Sequence, residues 1–98
     1  MPLKIKYSLR ALGEQIHLLE YIIKNYGVNK GNEIYQRIEN TLELIAENPE
    51  MFPSSLKKPE LRKCVFSKQT SIYYRIKGDY IEIVSFRPNG IDPKKFKL

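Results

Sequence analysis

Two runs of alternating character, "TSIYYRIK" (residues 70–77) and "YIEIVSFR" (residues 80–87), are separated only by Gly78-Asp79, and no other feature restricts the fold of this chain as much. A two-residue Gly-Asp connection accepts positive φ and closes an antiparallel hairpin, so it fixes which residues face one another. Counting outward from the turn, Ile76 opposes Ile81, Tyr74 opposes Ile83 and Ile72 opposes Ser85 on one face. On the other, Lys77 opposes Tyr80, Arg75 opposes Glu82, Tyr73 opposes Val84 and Ser71 opposes Phe86. The first face is apolar enough to lie under a second layer, while the other carries cations and aromatics. A third run, "LRKCVF" (residues 61–66), precedes the hairpin. If Lys68-Gln69 forms the intervening turn, Val65 joins the covered face and Arg62, Cys64 and Phe66 join the open one. A slip of one residue in that turn exchanges the two sets.

The second layer comes from the first half of the chain. "LKIKY" (residues 3–7) alternates Leu3, Ile5 and Tyr7 with Lys4 and Lys6, the pattern of a half-buried strand. Ser8 is placed to cap a following helix with its hydroxyl. Leu9, Leu12, Ile16, Leu19 and Ile23 then recur at steps of three and four, predicting a helix that ends near Tyr26-Gly27 and turns this stripe inward, widened by Gln15, Leu18, Ile22 and Tyr26. His17 falls on the polar side with Arg10 and Lys24 and reads as a surface residue. After a "GVNKGN" connection, Ile34, Ile38, Leu42 and Ile45 predict a second amphipathic helix, stopped at Asn48-Pro49 because the residue before proline avoids the helical region. The short link makes the two helices an antiparallel hairpin. "PEMFPSSLKKPE" (residues 49–60), with three prolines, is loop chemistry leading into the strands.

The expected architecture is therefore α+β in the order β-α-α-β-β-β: a small, mainly antiparallel sheet with a helical hairpin packed on one face. A chain of 98 residues supports one core of this kind, so residues 1–98 are expected to form a single domain. No segment has the ~18 consecutive apolar residues of a membrane span, and "MPLKIKYSLR" lacks the apolar centre of a signal peptide, so a cytoplasmic location without membrane contact is expected. The lone cysteine, Cys64, reads as a small apolar residue of the interior. One histidine and one cysteine do not make a metal cluster and there is no glycine-rich phosphate loop, so no cofactor is expected.

The net charge of +6 is unevenly distributed: residues 1–60 hold eight Lys/Arg against eight Glu, and residues 61–98 hold nine Lys/Arg against three acids. Such a concentrated field suits a polyanion or an acidic protein. The aromatics interleaved with arginines on the open face suit stacking and phosphate contact. Candidate binding residues are Arg62, Arg75 and Arg87 for anions, Tyr73 for stacking, and Lys94 and Lys95 for long-range attraction. A sequence-reading nucleic-acid module would place its basic residues on a helix entering a groove. Here the helical half is neutral, which ranks that class third.

The element order, with "LEYI", "ELIAENPEMFP", "YYRIKGDYIEIV" and a C-terminal "PKKF", resembles the RelE/ParE superfamily of bacterial type II toxin–antitoxin toxins over essentially the whole chain. The resemblance implies a small toxin neutralised by a cognate antitoxin. It implies one of two targets: DNA gyrase, poisoned without nuclease chemistry as in the ParE-like branch, or the ribosome and its mRNA, cut in the RelE-like branch. RNA cleavage requires activation of the 2′-hydroxyl, stabilisation of the pentavalent phosphate and protonation of the leaving oxygen. The RelE-like branch carries an arginine three residues before the tyrosine that is Tyr74 here, and a Tyr or His near the C-terminus. This chain has Ser71 at the first position, and its "GIDPKKFKL" tail has neither Tyr nor His. Arg62, Tyr73 and Arg75 could still form a rearranged nuclease site. The departures favour the ParE-like reading.

Overall fold

A computed structural model describes residues 2–67 and 70–88. Strand β1 (Lys4–Tyr7) leads into helices α1 (Leu9–Tyr26) and α2 (Val28–Glu47), followed by strands β2 (Arg62–Val65), β3 (Thr70–Lys77) and β4 (Tyr80–Pro88). The sheet order is β1-β4-β3-β2, antiparallel except that β1 runs parallel to β4. The expected α+β architecture is the one observed. Lys94 and Lys95 lie outside the described residues, as does the Lys68-Gln69 turn.

Ser8 caps α1 as expected: its Oγ accepts from the Ala11 amide at 3.0 Å. The same hydroxyl donates to the Val84 carbonyl at 2.9 Å, and the Ser8 amide donates to the Ile83 carbonyl. The cap thus also fastens the start of α1 to β4, just where β1 ends. The helix connection is shorter than "GVNKGN" suggests, because Gly27 alone, at φ 95°, separates α1 from α2. Only a residue without a Cβ takes that conformation readily. Gly31 serves a different need: a Cβ there would lie 2.5 Å from Cγ1 of Ile23, so its absence lets the two helices approach.

The core forms between the covered sheet face and the helices. Ile34, Ile38, Leu42 and Ile45 of α2 are buried as their spacing predicts, against Ile72, Tyr74, Ile81 and Ile83. Helix α1 departs from expectation. Its inward residues are Ala11, Gln15 and Ile22, with Leu18 packed beside them, whereas Leu9, Leu12, Ile16 and Ile23 are exposed. The apolar arc of α1 is wider than the core beneath it, and the contacts of Ser8 to β4 rotate the Gln15 side inward.

The hairpin register holds from Lys77–Tyr80 to Tyr74–Ile83 and then shifts by one residue. Val84 is the extra residue of a bulge, so Tyr73 faces Ser85, Ile72 faces Phe86 and Ser71 faces Arg87, in place of the expected Val84, Ser85 and Phe86. The bulge coincides with the handover of the β4 edge from β1 to α1. Glu14 accepts from the Ser85 hydroxyl at 2.8 Å and the Phe86 amide at 3.1 Å, supplying acceptors that a neighbouring strand would otherwise provide. Phe86 consequently turns into the core and stacks on Tyr7, with centroids 6.1 Å apart.

Strand β2 is also in the other register. Arg62 pairs with Tyr74 and Cys64 with Ile72, which places Arg62, Cys64 and Phe66 on the covered side and Lys63 and Val65 on the open side. The Phe66 amide donates to the Thr70 carbonyl, making the connection one residue longer than the two-residue turn expected. Cys64 is 2% exposed, as its small apolar character suggests, and Val65 is 63% exposed.

Candidate functional site

The shifted registers define the composition of the open face. From β1, Lys4 and Lys6 stand beside Tyr80 and Glu82. From β2 comes Lys63, beside Tyr73. Strands β3 and β4 add Arg75, Lys77 and Arg87. Six cations and two tyrosines therefore share one side of a four-stranded sheet, against Glu82 as the acid among these register neighbours. Lys6 Nζ lies 4.5 Å from the centroid of the Tyr80 ring, holding cation and aromatic in one unit.

Arg75 is held rather than loose: its Nε donates to Glu82 Oε1 at 2.6 Å across the strands. With 40% of the arginine side chain exposed, the remaining guanidinium nitrogens can still meet an anion, but the charge is partly compensated. Arg87 packs near Arg10, Glu14 and Tyr73. Burial first, and then the Arg10 charge, push its pKa below the ordinary arginine value, with Glu14 and Tyr73 opposing. Arg10 and Arg87 are thus two cations near the Glu14 carboxylate beside the bulge.

The other candidates separate. Arg62 leaves the face altogether: its Nη1 donates to the Phe52 carbonyl at 2.6 Å and the Glu50 carbonyl at 3.2 Å, tying down the loop after α2. Tyr73 is on the open face as expected. Tyr74, its neighbour in the Tyr-Arg pair, is fully buried, and its hydroxyl donates to the Pro49 carbonyl at 2.7 Å. Burial raises its pKa to about 12, so it stays a neutral phenol. Ser71, where the RelE-like branch has arginine, is buried. Phe66 packs under Arg37, whose guanidinium carbon is 5.0 Å from the ring centroid. Among the described residues, no three His, Cys, Asp or Glu side chains come together in a metal-binding group, and no helix is long and apolar enough to cross a membrane.

Sequence reasoning missed Lys4, Lys6 and Lys63 as members of this face, and Glu14 at its border. The alternation in "LKIKY" shows that two lysines share a side, but not that β1 pairs with the last strand.

A two-helix hairpin over a four-stranded sheet whose first strand runs parallel to the last is the architecture of small toxin domains in several solved structures. The chromosomal ParDE toxin–antitoxin system from P. aeruginosa superposes with a TM-score of 0.75 at 16% identity, over 88% of this chain and 95% of that one. The YoeB/ParE toxin from Agrobacterium tumefaciens gives 0.63 at 12%, over 89% and 99%. The YoeB dimer from Staphylococcus aureus gives 0.61 at 17%, over 89% and 97%. No curated protein matches by sequence. Residues 5–93 match the family described as the ParE toxin of the type II toxin–antitoxin system, parDE, and the chain belongs to that family. It is a type II toxin, and that membership implies a cognate antitoxin.

Proposed function

We propose that this toxin arrests growth by poisoning DNA gyrase, without nuclease chemistry, and that its antitoxin restores growth by covering it. The observation that carries this reading is how the groups RNA cleavage would call on are engaged. Of the set Arg62, Tyr73 and Arg75, Arg62 is turned away to the Glu50 and Phe52 carbonyls and Arg75 is paired with Glu82, which leaves Tyr73 on the open face without Arg62 beside it. RNA cleavage needs a general acid–base pair beside phosphate-binding cations, and with Arg62 on the covered side and the Arg75 charge partly compensated by Glu82 the set expected for it is not brought together. Family membership supports the same branch.

The open face is then a docking surface. Lys4, Lys6, Lys63, Arg75, Lys77 and Arg87 supply attraction to an acidic protein surface or to the DNA that gyrase holds, and Tyr73 supplies apolar contact. Lys94 and Lys95 extend the same attraction from the C-terminal segment. Cell-free translation of a defined message, with 5′ ends mapped after adding the toxin, separates the two targets. The reading expects an intact message. Cuts that need ribosomes and disappear in Arg75→Ala would replace it with a ribosome-dependent nuclease.

A further inference from the structure

A cleft of about 380 Å³ lies between the helical hairpin and the end of β2. That size suits a small molecule better than a helix or a strand. Ile22 and Ile34, both buried, form its floor, and the rings of Tyr21 and Phe66 line it above them. Lys30 and Arg37 add two cations, and no Asp or Glu is among the described residues that line it. The cleft belongs to the helical layer, on the opposite side of the sheet from the cationic face.

The two cations are placed to share one anion. Lys30 and Arg37 stand two turns apart on α2, about 10 Å along its axis, and each side chain is long enough to reach a group held between them. Glu33 marks the attraction from outside the cleft: its carboxylate lies 2.7 Å from Lys30 Nζ, and its pKa is lowered by Lys30 first and by the Arg37 charge after it. That pair is exposed on both sides, so a doubly charged ligand displaces it at little cost. The Arg37 guanidinium carbon lies 5.0 Å from the centroid of the Phe66 ring, and Nη2 donates to the Phe66 carbonyl at 3.4 Å. Stacking fixes the plane of the guanidinium and leaves its other N–H groups to an oxyanion in that plane.

We propose that this cleft binds a nucleotide, with the base beside Tyr21 and Phe66 and the phosphate between Lys30 and Arg37. Aromatic rings over an apolar floor favour a flat, unsaturated ring, because stacking adds to the burial of its faces. Two cations favour a phosphate, which carries nearly two charges, over a carboxylate, which carries one. A free nucleotide and one residue of a single strand present this same chemistry. The cleft lies apart from the open face, so the proposal is independent of the target.

The test is isothermal titration calorimetry of the full chain with AMP, adenosine, ribose 5-phosphate and a short oligodeoxyadenylate at low ionic strength. Wild type is compared with Arg37→Gln, with Tyr21→Ala, whose ring is 59% exposed and not needed for the core, and with Glu33→Gln. Circular dichroism verifies that each variant is folded. The expected result is a Kd for AMP on the order of 100 µM, weakened about tenfold by loss of the base or of the phosphate and by Arg37→Gln or Tyr21→Ala, and tightened about threefold by Glu33→Gln. The variant carrying Lys4→Ala, Lys6→Ala and Arg87→Ala should bind AMP as wild type does. An oligonucleotide that binds more tightly than AMP, and is weakened by the same two variants, makes a strand the source of the ligand; equal affinity makes it the free nucleotide. Absence of binding by both up to about 5 mM overturns the proposal, as does ribose 5-phosphate binding as well as AMP. Binding that survives Arg37→Gln and is lost with the open-face lysines also overturns it. Growth arrest is not the readout, so failure here leaves the gyrase reading standing.

Discussion

Replacing Glu14 by alanine probes how α1 is joined to the sheet. The carboxylate accepts from the Ser85 hydroxyl and the Phe86 amide, and Arg10 Nε lies 3.4 Å from its other oxygen. Hydrogen bonds to a charged acceptor contribute ~1.5–3 kcal/mol each when buried. The Glu14 side chain is 30% exposed, so water can replace part of what is lost, and the Arg10 pair contributes little. A net cost of about 2 kcal/mol follows, which for a domain of this size lowers Tm by ~8–16 °C. Glu14→Gln keeps an acceptor and should cost about half as much, while Arg10→Ala should cost under ~0.5 kcal/mol. Thermal unfolding followed by circular dichroism ranks the three. A Glu14→Ala melting point within ~2 °C of wild type would refute the view that this carboxylate holds the bulged edge.

Four further outcomes follow from the same contacts. Tyr74→Phe deletes the bond to Pro49 and should lower Tm by ~4–8 °C, about 1 kcal/mol, while leaving toxicity intact; loss of toxicity in a folded variant would make the phenol functional. Gly31→Ala should cost ~1–3 kcal/mol in denaturant unfolding because its methyl meets Ile23, whereas Gly13→Ala should stabilise by ~0.5–1 kcal/mol. Burial raises Cys64 from 9.0 to about 11 and Tyr7 and Tyr74 from 10.0 to about 12. Each native group keeps its proton where the unfolded one has lost it, so this stability is complete below pH 9 and declines as pH rises toward 12; the urea midpoint should fall over that window, less so in Tyr74→Phe. Cys64 should react with a thiol reagent at pH 8 only as fast as the chain opens, and rapid reaction in native buffer would contradict its burial.

Much of the architecture is legible because it is local. The α2 stripe, the Ser8 cap, the Asn48 stop and the Gly78-Asp79 hairpin each depend on residues a few positions apart. What escaped depends on distant partners. The bulge at Val84 arises where Ser8 and Glu14 reach β4, and neither can be placed beside it from spacing alone. The β2 register turns on one residue of loop length, and with it Arg62 passes from the open face to the loop carbonyls. The inward side of α1 was ambiguous because two adjoining stripes are both apolar, and only the packed structure selects Ala11, Gln15 and Ile22. On the open face, Tyr73 and Arg75 were readable from alternation, whereas simple alternation puts Arg87 on the covered face and only the bulge brings it round. Lys4 and Lys6 joined it through a parallel pairing that no short-range signal encodes.

The central claim is tested most directly by incubating purified toxin with DNA gyrase and supercoiled plasmid, then trapping cleaved DNA with detergent and protease. The account predicts gyrase-dependent linear plasmid, reversed by the antitoxin and reduced in a variant carrying Lys4→Ala, Lys6→Ala and Arg87→Ala. Plasmid that stays supercoiled and uncut at every toxin concentration, from a preparation that still arrests growth when expressed, would contradict it.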